Sequence, residues 1–238
     1  MKMEINPLEI LEESSKRISP TLIEYEIGSE VEIVLYTLIG KLRQEYQNFI
    51  IISFHDAYLV LRRYLENIFS IDEINAVFNG AHLISVNPIL ETEENNPQNI
   101  IKSTHHDIIV GRILETTSRI KEESLFIVLG LDFFGIRIGE EELIDLFPAL
   151  VSTIGRKKSN NVIMTLNVKV FPQSLVEIVN SFAFNVAHLG IELHDKDIKR
   201  YITLIRTVFL EYNLKTWYYT LLGKKLVFKH VNSEGLIF

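Results

Sequence analysis

The residues best suited to chemistry in this chain stand where apolar runs stop. Ser124-Leu-Phe-Ile-Val-Leu-Gly-Leu-Asp132 is one such run, and it delivers a single carboxylate to its end. Open α/β sheets bind ligands at the carboxyl ends of their strands. In nucleotide-hydrolysing α/β proteins an aspartate so placed holds Mg²⁺ through its water shell, while a glycine-rich loop cradles the phosphates. Here that loop is missing. No G-x-x-x-x-G-K-[ST] occurs in the 238 residues, and Gly40-Lys41 and Gly223-Lys224 each lack the Ser or Thr that would follow. Asp132 therefore reads as a carboxylate hydrogen-bonded to nearby backbone, a mark of ancestry rather than a magnesium ligand. Phe54-His55-Asp56 ends a second apolar run and sets an imidazole beside a carboxylate, a pair able to activate water. Asp56 also stands where the N-cap of a following helix would.

A third group, Glu26-Ile27-Gly28-Ser29-Glu30-Val31-Glu32, marks the first strand-to-helix junction. Phosphate binds at such junctions through free backbone N–H groups and the positive helix end. Ser29 and Glu32 have the S-x-x-E spacing of a capping box, so side chains are expected to satisfy those donors. Glutamates in the first turn favour a helix by about 0.3–1 kcal/mol each, and they repel a triphosphate. The remaining clusters lead nowhere chemical. In His105-His106-Asp107 adjacent side chains diverge by about 100° on a helix. Glu192-x-His194-Asp195 lacks metal-protease spacing. No G-x-S-x-G elbow and no G-x-G-x-x-G fingerprint is present, and Asp132-Phe-Phe-Gly135 lacks the partners of a kinase triplet. No metal and no cofactor is expected.

The elements that must position these residues alternate. An amphipathic helix is predicted over 5–17, a strand over Thr21–Ile27 and a helix over about 30–46. Phe49–Phe54 is a continuous apolar strand of the kind buried on both faces of a parallel sheet. Helices at roughly 57–69 and from Asp72 precede a weaker strand, His82–Val86, and residues 87–100 read as an exposed polar loop. Thr104 with Asp107 is expected to cap a helix reaching about 121. After the strand at 124–132 come a helix over Glu140–Ile154, a strand over Asn161–Asn167, a helix at 173–181 and a strand at 183–189. Such βα alternation predicts a mostly parallel sheet with right-handed crossovers. The end differs. Tyr201–Leu210 is extended, and Thr216–Leu222 and Lys225–Val231 flank Gly223-Lys224, which suits a type II′ hairpin. On that hairpin Trp217, Tyr219, Lys224 and Lys225 are the candidates for contacting a partner, although an edge hairpin more commonly buries one face and guards the other with lysine.

Composition narrows the classes. With no cysteine, disulfides and thiolate chemistry are out and a reducing, cytoplasmic setting is expected. No apolar run is long enough to span a membrane, and no secretory signal is read at the start. A net charge of −7 disfavours nucleic acid. The charge is uneven: from Lys196 onward eight Lys/Arg face three acids, leaving −12 on residues 1–195. That asymmetry suits head-to-tail self-association or an acidic partner.

The order of landmarks resembles the RecA superfamily core, in the style of KaiC-like and RadA-like ATPase domains. Thr21–Ile27 with Gly28-Ser29 corresponds to the first strand and glycine loop, Phe54-His55-Asp56 to the end of the second strand, Leu125–Asp132 to the Walker B strand and Val162–Asn167 to the strand ending in a polar sensor. The whole is similar to a small family of RecA-like proteins of hyperthermophilic archaea that lack the Walker A loop. The resemblance implies a three-layer α/β/α sandwich over residues 20–238, preceded by an amphipathic segment at 1–19, and it implies assembly into rings or filaments. Gly28, Ser29 and Asn167 become the ligand-pocket candidates. The expected function is a non-catalytic, pseudo-ATPase binding or assembly module whose partner is a second copy or a protein or peptide. The alternatives are an enzyme acting on a nucleotide or other phosphate-containing substrate through His55, Asp56 and Asp132, and a peptide receptor. In the assembly version, the segment at 5–17 or the apolar end Leu236-Ile237-Phe238 would dock on a neighbour.

Overall fold

The computed structural model describes residues 6–88, 99–120, 123–194 and 197–231. Helix α1 (Pro7–Arg17) begins at Asn6, whose side chain accepts from the Leu8 N–H, with Pro7 at the first position where its missing N–H costs nothing. Strand β1 (Thr21–Tyr25) leads into α2 (Val31–Leu42), and β2 (Asn48–Phe54) into α3 (Ala57–Leu65). Helix α4 (Ile71–Phe78) is closed by a true capping box between Ser70 and Glu73. Then come β3 (His82–Val86), the two-residue β4 (Ile100–Ile101) and α5 (His106–Thr117). Strand β5 (Ser124–Leu129), α6 (Leu131–Ile138), α7 (Glu140–Ile154), β6 (Asn161–Asn167) and α8 (Gln173–Ser181) complete the alternating part. The chain ends in antiparallel β7 (Asn185–His194), β8 (Asp197–Arg206), β9 (Lys215–Leu222) and β10 (Lys225–His230).

Among the described residues these strands form one sheet, ordered β10-β9-β8-β7-β1-β6-β5-β2-β3-β4. From β7 to β4 every pairing is parallel. Both faces are covered, which is why β2 and β5 read as unbroken apolar runs. Side chains alternate between two cores. Phe49 and Ile51 join the layer of α1–α4, whereas Ile50, Ile52 and Phe54 join the layer of α5–α8. Each fully buried aliphatic or aromatic side chain contributes roughly 1.5–3 kcal/mol. Helix α1 docks on its own chain, with Leu8 and Leu11 in the same core as α2. Leu236, Ile237 and Phe238 lie outside the described residues, as does most of the predicted 87–100 loop.

Several local expectations change. Strand β5 stops at Leu129, and the segment after it, which sequence leaves as a connection, is helix α6. Helix α5 has His105, not Thr104, at its N-cap position and no side-chain cap; Ser103 Oγ instead accepts from the His105 N–H at 3.1 Å. The predicted strand at 183–189 and extended piece at 201–210 are one long hairpin, β7 and β8, shifted to 185–206. The β9–β10 turn matches its expectation. Gly223 has φ +60° and Lys224 is absent from the left-handed residues, as a II′ turn requires.

Candidate functional site

The carboxyl ends of four neighbouring strands, β1, β6, β5 and β2, open onto one cavity of about 680 Å³. Tyr25 comes from β1, Thr165 from β6 and Phe54 from β2. Val31, Glu32 and Leu35 of α2 form one wall, and Val60 and Leu61 of α3 another. Asp132, Phe133 and Arg137 of α6 close the third side. The cavity therefore brings Asp132 together with His55 and Asp56, more than 70 positions earlier in the chain.

How α6 reaches this position depends on Gly130. It has φ +77° and turns the chain sharply after Leu129. Asp132 accordingly stands in the first turn of α6 and not at a strand end, a correction to the reading of 124–132. Its Oδ2 accepts a hydrogen bond from the Tyr25 hydroxyl at 3.0 Å, so its partner is a side chain from β1 as well as local backbone. Burial pushes the Asp132 carboxyl above the usual range, against the lowering effect of that bond and of the Asp132 and Phe133 N–H groups. Glu32 is raised likewise, first by burial and further by the charge of Glu30, while its own backbone N–H lowers it.

His55 occupies a left-handed backbone conformation, φ +52°, uncommon for a residue with a Cβ. It is 8% exposed, and its Nε2 is buried without a hydrogen-bond partner. Burial, then the Arg137 charge, lower its pKa; Asp56 works the other way. The His55 imidazole and the Asp132 carboxyl thus line one space, an arrangement able to accept and donate protons. Asp56 is at the N-cap position of α3, yet its side chain makes no capping bond, so the expected capping role is not realised. Among the described residues no three His, Asp or Glu side chains are placed to hold a metal ion. His106 instead pairs with Glu142 of α7, Nδ1 to Oε2 at 2.9 Å.

The raised carboxyl has a measurable consequence. A group whose folded pKa exceeds its unfolded value binds more protons when folded, so it costs stability as pH rises through that interval. Asp132→Asn removes this cost. Relative to the parent, the variant is expected to gain stability between about pH 4 and neutrality. Urea unfolding at intervals from pH 4 to 8 checks the sign. A difference that stays flat or falls contradicts the assignment.

The other candidates lie elsewhere. Gly28, Ser29 and Asn167 do not line the cavity. Asn167 caps the short turn after β6, accepting from the Lys169 N–H at 3.1 Å. The Ser29–Glu32 capping box does not form. Glu30 takes the N-cap position with φ +59° and no side-chain cap, and Ser29 is buried with its Oγ unpartnered. What holds the junction is the C-terminal ribbon. Arg200 of β8 donates from Nε to the Gly28 carbonyl at 2.9 Å and from Nη2 to Glu30 Oε1 at 2.7 Å. The Tyr219 hydroxyl donates to the Ser29 carbonyl, and the Tyr64 hydroxyl to Glu30. Glu26, just upstream, pairs with Lys169 at 3.0 Å.

The proposed partner face of the hairpin also divides. Trp217 and Tyr219 are core residues because alternate β9 positions face the α1–α4 layer. Lys224 and Lys225 remain at the exposed tip, where Lys224 pairs with Glu73 of α4.

Sequence order alone does not single out Tyr25, Arg137 or Arg200. Tyr25 ends β1 in the structure, two residues before the end of the predicted Thr21–Ile27 strand, and nothing local links it to Asp132, 107 positions on. The chain as a whole is similar in fold to a KaiC-like protein from the hyperthermophilic archaeon Pyrococcus horikoshii OT3. That crystal structure matches with a TM-score of 0.62 at 14% sequence identity, over 88% of each chain. The fold is RecA-like. In this RecA-like domain the antiparallel β9–β10 hairpin ends a mostly parallel sheet, as the sequence led us to expect, and the β7–β8 pairing joins the two. No protein-family model and no curated protein matches the sequence. Among the described residues of the RecA-like domain, no helix is long and apolar enough to cross a membrane.

Proposed function

We propose that this RecA-like domain is a binding or assembly module that neither holds nor hydrolyses a nucleoside triphosphate. The observation that supports this reading is the β1–α2 junction. Five residues, 26–30, separate strand from helix, too few to wrap a phosphate chain as an eight-residue glycine loop does. The junction presents carbonyls to Arg200 and Tyr219 where a phosphate loop would present N–H groups to a ligand. Glu26, Glu30 and Glu32 add three carboxylates at the same place. Arg200 and Lys169 are already engaged by Glu30 and Glu26, so a triphosphate there would find carbonyls and carboxylates and no free backbone donors of a phosphate loop.

Thermal unfolding with and without MgATP tests the proposal. A site with a dissociation constant of about 10 μM would, at about 1 mM ligand, add roughly 2.7 kcal/mol and raise the melting temperature by about 5–10 °C. The expected result is no shift. A rise of that size would overturn the reading. Partners in this proposal are a second copy or another protein or peptide. Because α1 is buried in its own core, an assembly contact would use other surfaces, such as the edge strand β10 with Lys225 and Lys229 at its exposed positions.

A further inference from the structure

We infer that the cavity between α2, α3 and α6 is a binding site for a small organic amine with an apolar body. The inference rests on reading the domain as a binding module and names what it binds. Three observations converge on it. The first is shape and lining: about 680 Å³ walled by Val31, Leu35, Phe54 and Leu61, ample for a small molecule. Its mouth stays apolar, with Val60 61% and Phe133 53% exposed. The second is charge. The lining carries the half-buried carboxyl groups of Glu32 and Asp132 and the exposed Asp56, against one cation, the exposed Arg137, so acids outnumber bases three to one.

The third is independent of the acids. His55 is more than nine-tenths buried, lines the cavity and leaves Nε2 with no hydrogen-bond partner. Buried polar atoms of folded proteins are nearly always paired, so such an atom calls for a partner from outside the chain. With its proton on Nδ1, His55 offers Nε2 as an acceptor, and both carboxylates accept as well. One group matches three acceptors in an apolar space: a primary ammonium, with three donors and a positive charge. Phe133, whose ring packs 4.7 Å from the His55 ring, and Tyr25 supply aromatic surface that favours a cation. An anionic head is repelled, and among the described residues no metal-holding cluster competes for this role.

Calorimetric titration of the full chain at pH 7 with 2-phenylethylamine, 2-phenylethanol and phenylacetate tests the inference. These probes share a body and differ in head-group charge. The amine is expected to bind with a dissociation constant on the order of 1 mM or tighter. Phenylacetate should bind about tenfold more weakly or not at all. Asp132→Asn and Glu32→Gln should each weaken the amine by about tenfold and leave the alcohol unchanged; two variants guard against one failing to fold. Imidazole ¹⁵N spectra should show the His55 Nε2 resonance moving with the amine. Absence of amine binding, phenylacetate binding as tightly, or full affinity in both variants would each overturn the inference. The MgATP measurement is separate, so nucleotide binding with amine binding intact would remove only the proposal that the domain holds no nucleotide.

Discussion

Gly130→Ala is expected to lose about 2–5 kcal/mol of stability, the largest effect of any small substitution near the cavity. Two costs combine. At φ +77° an L side chain is disfavoured by roughly 1–2 kcal/mol. In addition, a Cβ at this position would lie 2.5 Å from the Phe54 carbonyl oxygen and 2.8 Å from the Ala57 Cβ. Both are closer than real contacts allow, and the first is backbone that cannot rotate aside. Relief requires moving the end of β2 away from the start of α6, at roughly 1–3 kcal/mol more. For a chain of this size the melting temperature should fall by about 5–15 °C. Gly223→Ala is the control: φ is also positive, at +60°, but nothing lies within 4 Å of the added carbon. It should cost only the conformational part. Equal losses in the two variants would show that the close approach at Gly130 does not constrain the chain. Because Phe54 and Ala57 flank His55 and Asp56, Gly130→Ala should also abolish amine binding before the protein unfolds.

Trp217→Ala should cost about 3–5 kcal/mol, the range for deleting a buried aromatic side chain. Trp217 is 2% exposed, pairs across the sheet with Ile202 and His230, and contacts the His230 ring edge-on at 5.2 Å. With Ile202, Leu204 and Tyr219 it holds the C-terminal ribbon against the α1–α4 layer. Since Arg200 and Tyr219 of that ribbon clamp the β1–α2 junction, the loss should reach the junction too. Lys224→Ala and Lys225→Ala, at the exposed tip, should stay within about 0.5 kcal/mol. Chemical denaturation of the three variants separates the possibilities. A Trp217→Ala protein of parental stability that has lost a partner would restore the residue to a binding surface and contradict its burial.

Most strands and helices were legible in the sequence because burial on both sheet faces demands continuous apolar runs, and helices covering them demand a 3.6-residue stripe. Helix α6 was hidden by Gly135, which looks like a breaker in Phe-Phe-Gly-Ile-Arg-Ile-Gly. Its reason is packing: a Cβ there would lie 2.7 Å from Leu143 Cδ2 and 2.9 Å from Phe171 Cζ. No local pattern reports a neighbour of that kind.

The junction shows the same division. By itself the sequence determined that no phosphate loop is present and that acids crowd the start of α2. It assigned Ser29 and Glu32 to each other because they are three positions apart, the spacing of a capping box. Tertiary structure decided otherwise, since Arg200 and Tyr219, 170 and more residues away, reach the junction through strands the local code cannot place. Asp132 follows suit. Its chemistry and its approximate place at the carboxyl edge could be read from one apolar run. Its meeting with Tyr25, Glu32 and His55 in a single cavity depends on sheet order and on the turn at Gly130. Periodicity is local and specifies elements; convergence is set by which strands lie side by side, and that is a property of the folded chain.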